Sequence, residues 1–271
     1  MATVSTMSPR THQRLERLRE LCILAHGRAK ILALVDGEWR TNTLLQLHAT
    51  IIELTVGVFS LLAARIYSPA PILVRSAYEA MADQLALSRD PKYLVRMQAQ
   101  TISEGSKFPE HLSHGEPPRV KEFVARPGAR EFLRRMHELG DALAEEGGVR
   151  IEAKEKFSAA GIPSEYLFFR FLSAFVHNDM GALGFRHEPE GAASVSPIAL
   201  FAVPDAAHLH TWIDMAFANL VRSCKLTYKD PSAFQEAGDQ YVAIVRADAE
   251  AHPNEHRFTL LDEYVRRPPT E

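Results

Sequence analysis

A helix-capping residue beside a proline recurs along this 271-residue chain, and an apolar segment of helical spacing follows each time. Ser8-Pro9, Asp90-Pro91, Pro204-Asp205 and Asp230-Pro231 are such starts. Serine or aspartate offers a side-chain acceptor to the unpaired N–H groups of a first turn. Proline fits beside it, because its missing N–H would have had no partner there. After Ser8-Pro9, the residues Leu15, Leu18, Leu21, Cys22, Ala25 and Ala29 continue at helical spacing up to Asp36-Gly37. Further helices are predicted over 42–67, up to Ser88 after Ser68-Pro69-Ala70-Pro71, and from Asp90 to a fade near Gly105. A long loop over 108–118 follows, then helices from Arg119 and from Pro127 to Gly147-Gly148, and a short one over 151–160. Ser164 caps the next helix, and two more run over 204–228 and 231–250, the last capped by Asp230. No alternation of strand and helix is present, which excludes an α/β fold. Ser194-Val195-Ser196 and 198–203 read as a hairpin. The prediction is therefore a mainly α protein, a multi-helix bundle with a small irregular or β-hairpin insertion after Gly181. It forms one domain over 1–250, with a loosely held tail over 251–271.

The segment from Leu44 to Ile66 is apolar enough to suggest a membrane span, but it contains Gln46, His48, Glu53 and Arg65. A charge inside a span is expensive, so the segment reads as a central helix. Leu47, Ile51, Leu54, Val58 and Leu62 should be among its most buried residues, and Gly57 should let a neighbouring helix approach. No membrane association is expected. The start of the chain lacks a charged-then-apolar signal pattern. Cys22 and Cys224 read as reduced residues in or near the core, which suits a cytoplasmic protein. Acidic residues number 34 against 31 Lys+Arg, so the chain lacks the basic excess of a dedicated nucleic-acid binder, which argues against avid non-specific binding. A local basic patch is not excluded, and Arg126, Arg130, Arg134 and Arg135 are its best candidates.

Function is sought in the run from Tyr166 to Asp179. On a helix, Tyr166, Arg170, Ser173 and His177 fall within about 60° of one another, while the other positions from Leu167 to Val176 are apolar. Such a polar stripe in an apolar segment needs partners. Arg75, Glu79 and Asp83, at four-residue spacing, line one face of another helix and are the expected partners.

Two short motifs carry a family resemblance. The run Arg75-Ser76-Ala77-Tyr78-Glu79 resembles the "Arg-Ser-x-x-Glu" helix of DUF5677, a family of bacterial helical proteins without a settled activity. Ser173-Ala174-Phe175-Val176-His177 resembles that family's "Ser-x-x-x-His" helix, and the likeness extends over 42–228. More distantly, Arg170 and His177, separated by six residues, resemble the Arg-to-His spacing of HEPN proteins. These helical modules include metal-independent ribonucleases. Phe171 stands where HEPN motifs often have Asn.

The HEPN likeness implies an RNA-cleaving or RNA-binding protein of defence or toxin type, with RNA or a protein as partner and no metal or cofactor. In that reading His177 is the general base, Arg170 and Arg75 hold a phosphate, and Glu79 orients Arg75 or His177. Asp83, Tyr166, Ser173 and Asn178 complete the candidate binding residues. Arg170 and His177 lie about 10 Å apart along a straight helix, so their convergence calls for a homodimer or a broken helix. Ser173 and His177, one turn apart, also suit a nucleophile–base pair. The alternative is a non-catalytic helical binding or scaffold protein, with Arg75-Glu79 an ordinary ion pair, Glu79 or Asp83 neutralising Arg170, and the whole cluster structural. His252-Pro253-Asn254-Glu255-His256 matches a zinc-peptidase motif by letters only, since Pro253 breaks the helix that the chemistry needs.

Overall fold

The computed structural model describes residues 7–113, 126–177, 183 and 203–252. The helices are α1 (Pro9–Ala29), α2 (Trp39–Ala63), α3 (Ala70–Arg89), α4 (Tyr93–Ser113), α5 (Pro127–Glu145) and α6 (Ala153–Ala159). A single 3₁₀ turn, Pro163–Glu165, leads into α7 (Tyr166–His177), and α8 (Ala206–Thr227) and α9 (Ser232–Ala251) complete the order. Among the described residues there is no strand, and the protein is mainly α. The hairpin expected over 194–203, the helix start at Arg119 and the tail after His252 fall outside the described residues, save Val203 at the hairpin's last position.

Local chemistry accounts for most of the boundaries. Ser8 Oγ accepts from Thr11 N at 3.1 Å, and Asp205 accepts from His208 N at 2.8 Å. Asp230 accepts from Ser232 N at 3.1 Å, but α9 starts one residue later than expected, with Pro231 and not Asp230 in the N-cap position. α1 ends at Ala29, short of Asp36, and the Asn42 side chain pins the segment that follows. Its amide donates to Val35 O at 2.7 Å and accepts from Val35 N at 2.9 Å. α4 runs past Gly105 into the segment expected to be a loop. Ser164 lies inside the 3₁₀ turn rather than ahead of α7. α2 and α6 end alike, with a left-handed residue closing two bonds back to the last turn. In α6 that residue is Gly161 (φ 67°); in α2 it is Arg65 (φ 60°). The paired bonds are Ile162 N to Phe157 O and Gly161 N to Ser158 O in one, Ile66 N to Leu61 O and Arg65 N to Leu62 O in the other.

One hydrophobic core extends from Leu15 to Val245, with Trp212, Tyr78, Phe157, Phe217, Phe234 and Tyr241 sealed inside it. α4 and α5 pack chiefly on each other. α2 touches α1, α3 and α8, but it is not the most enclosed helix. Six of its 25 residues are buried, against 13 of 20 in α3 and 14 of 22 in α8. Ile51, Val58 and Leu62 are fully buried as expected, whereas Leu47 and Leu54 are half-buried on its flank. By length and composition α2 is the one described helix that could cross a membrane. Gly57 does permit close approach: a Cβ there would lie 2.8 Å from Leu73 Cδ1 of α3.

Candidate functional site

α3 and α7 pack against each other, and of the two expected faces Arg75 and Ser173 meet. Their contact is narrower than the sequence suggests. Arg75 Nε donates to Ser173 Oγ at 2.9 Å, and its guanidinium carbon lies 4.4 Å above the Phe169 ring. Ser173 Oγ in turn donates to Phe169 O, one turn back, at 2.7 Å. With its proton given to a carbonyl and a lone pair to Arg75, Ser173 is not positioned as a nucleophile for His177. Tyr166 is half-buried and stacks on Phe169, with centroids 6.1 Å apart.

Glu79 and Asp83 do not neutralise Arg170. Their partner is Lys156 of α6, whose Nζ donates to Glu79 Oε1 at 3.2 Å and to Asp83 Oδ2 at 3.1 Å. Tyr93 donates to Asp83 Oδ1 at 2.7 Å, and Arg75 Nη1 stands 3.7 Å from Glu79. The seam thus balances two cations, Arg75 and Lys156, against two carboxylates. Burial pushes the Asp83 carboxyl up, partly offset by Lys156 and Tyr93. Burial alone would lower the Lys156 ammonium, but Asp83 and Glu79 outweigh it and hold it above the ordinary lysine range. Burial, with Asp83 alongside, pushes the Tyr93 phenol up. A protonated lysine between two carboxylates is a structural clasp and a poor nucleophile. Lys156 had a signal in the sequence: it lies within the stripe Ala153, Lys156, Phe157, Ala160, which otherwise is apolar.

Arg170 and His177 point elsewhere. α7 buries Phe169, Leu172 and Phe175, and the opposite side carries Leu167, Arg170 and His177, all exposed. Arg170 and His177 form no hydrogen bond or ion pair among the described residues. The apolar segment is therefore amphipathic, and two of the four residues in the expected buried stripe face solvent. Asn178 lies outside the described residues.

Two residues of the arginine cluster, Arg134 and Arg135, pair with carboxylates of their own helix, α5. Arg134 is bonded to Glu131 and Glu138, and Arg135 to Glu131. Among the described residues no group of His, Cys, Asp or Glu forms a metal-binding cluster. Cys22 and Cys224 are buried free thiols, and burial pushes Cys22 up to about 12.

Two further polar networks were not anticipated. Between α1, α8 and α9, Arg14 donates to both oxygens of Asp214 at 2.7 Å and to Asp248 at 2.5 Å. Tyr241 donates to Asp214 at 2.6 Å. Between α2, α3 and α8, Ser223 Oγ lies 2.7 Å from both His48 Nδ1 and Gln84 Oε1, and Tyr228 Oη lies 3.2 Å from His48 Nε2. The Gln84 carbonyl takes the Ser223 proton, so His48 carries its proton on Nδ1 and accepts from Tyr228 at Nε2. Burial lowers His48 to about 4, which keeps it neutral.

What these contacts define is a helical bundle whose buried charges are paired across helix seams. Residues 41–193 match the model of a family of unknown function, DUF5677, over more than half of the chain. The chain belongs to that family. No curated protein and no solved structure matches it.

Proposed function

We propose that the protein is a HEPN-like RNA-binding protein that contacts RNA through the solvent face of α7. One observation carries this reading. Arg170 and His177 share that exposed face two turns apart, engaged by no other described residue, while the charges of the α3–α6–α7 seam are committed to one another. An exposed arginine fits a phosphate, because its planar guanidinium donates two parallel bonds. In this reading His177 is the general base that takes a proton from a ribose hydroxyl. About 10 Å of helix separates the two, so a cleaving site would take Arg170 from one copy of the chain and His177 from a second.

A second reading, a non-catalytic helical binding or scaffold protein whose buried polar cluster is structural, is favoured by Lys156. It engages Glu79, the carboxylate expected to orient Arg75 or His177.

The test is incubation of the purified full chain with labelled single-stranded RNAs in EDTA, alongside Arg170→Ala and His177→Ala. Binding that weakens with salt and with Arg170→Ala is expected. Cleavage lost in His177→Ala would add catalysis. A wild-type chain inert toward varied RNAs would leave the scaffold reading.

A further inference from the structure

Beside Arg170, α7 carries an aromatic residue that the core does not absorb. Phe171 is 47% exposed although it sits in the middle of an otherwise well-packed helix. Its ring lies nearly parallel to that of His208 on α8, at 22° with centroids 6.5 Å apart. His208 is itself held in place, since Asp205 Oδ1 accepts from both its backbone N–H (2.8 Å) and its ring Nδ1–H (2.7 Å). Beneath the pair, Phe175 meets Phe171 edge-on at 5.8 Å and Trp212 at 6.1 Å, and Trp212 lies 6.4 Å from His208. The exposed Phe171 ring and the half-buried His208 ring thus rest on an aromatic floor.

We propose that Phe171 and His208 form a stacking platform for an unpaired nucleobase, with Arg170 taking the adjoining phosphate. The inference rests on the RNA-binding reading above and gives it a substrate class: single-stranded rather than duplex RNA. Three features support it. Rings fixed before binding lose little freedom when a base covers them. Every base offers a π-face, so an exposed ring such as Phe171 accepts any sequence, and a cation beside it tracks the backbone. A half-exposed Phe directly following an exposed Arg provides both elements within one helical turn.

Fluorescence anisotropy of labelled single-stranded RNA on the full chain tests this, with an abasic ribose–phosphate oligomer and an RNA duplex of equal length as comparisons. Wild-type protein should prefer the base-containing single strand. Phe171→Ala should weaken that binding at least about fivefold and erase the preference over the abasic oligomer. Phe171→Tyr should restore both. Arg170→Ala should weaken both oligomers alike. In a Trp39→Phe background Trp212 is the sole tryptophan, and its emission should change on binding the base-containing strand only. Thermal melts should show Phe171→Ala folded. If Phe171→Ala binds as wild type while Arg170→Ala is weakened, the platform falls and RNA binding stands. Equal binding of duplex and single strand also overturns the platform. If the wild type binds none of the three probes, the RNA reading falls and takes the platform with it.

Discussion

Lys156 Nζ lies 3.1 Å from Asp83 Oδ2, and this ion pair fastens the short helix α6 to the buried face of α3. Both side chains are almost wholly enclosed. Lys156→Met should leave Asp83 buried without its counter-ion, with Tyr93 still donating to it, at a cost of about 3–5 kcal/mol, read by urea unfolding. The double variant Lys156→Met/Asp83→Asn removes both charges and should recover part of that loss. If the double variant is no more stable than Lys156→Met, the pair is not what holds α6.

The buried His48 makes stability depend on pH. Its folded pKa is about 4 against an ordinary 6.5, so between these values the unfolded chain binds more protons than the folded one. The contribution is fully present above pH 6.5 and is lost as pH falls toward 4, amounting to about 3 kcal/mol. Unfolding free energies of wild type and His48→Gln measured across that window should differ in slope. Parallel profiles would mean that His48 does not titrate as described.

The left-handed helix ends set up opposite outcomes. At Gly161 any side chain is strained, and a Cβ would also run into the Arg89 guanidinium. Gly161→Ala is expected to lower stability by about 1–2 kcal/mol, whereas Arg65→Gly, which relieves the same conformation, should raise it by a similar amount. Melting temperatures that move in the same direction for both would contradict this.

Within α2, Ile51→Ala should cost about 2–5 kcal/mol, because its fully buried side chain leaves a cavity. Leu54→Ala, at a half-buried position, should cost clearly less. Equal losses would place Leu54 in the core.

Arg170→Ala and His177→Ala should unfold within about 0.5 kcal/mol of wild type, since both side chains are exposed and without described partners. A large loss of stability in either would tie it to the buried seam instead.

Much of the fold is written locally. Ser8 and Asp205 cap where capping chemistry says they should, and the 3.6-residue spacing of Leu15, Leu18, Leu21 and Cys22 sets the buried face of α1. The meeting of Arg75 with Ser173 was also legible, because a polar group inside an apolar helix needs a partner and few were on offer. What periodicity cannot supply is the direction of a stripe. Seen in the sequence, the Arg170–His177 side of α7 is simply the polar side, and only the packing of Phe169, Leu172 and Phe175 onto the core turns it to solvent. Partner choice is tertiary as well. Lys156 is 73 residues from Asp83 and Ser223 is 175 from His48, separations over which no spacing rule acts. Charges and hydroxyls find one another there because the bundle excludes water, and a buried polar group must then bond whatever the neighbouring helix presents.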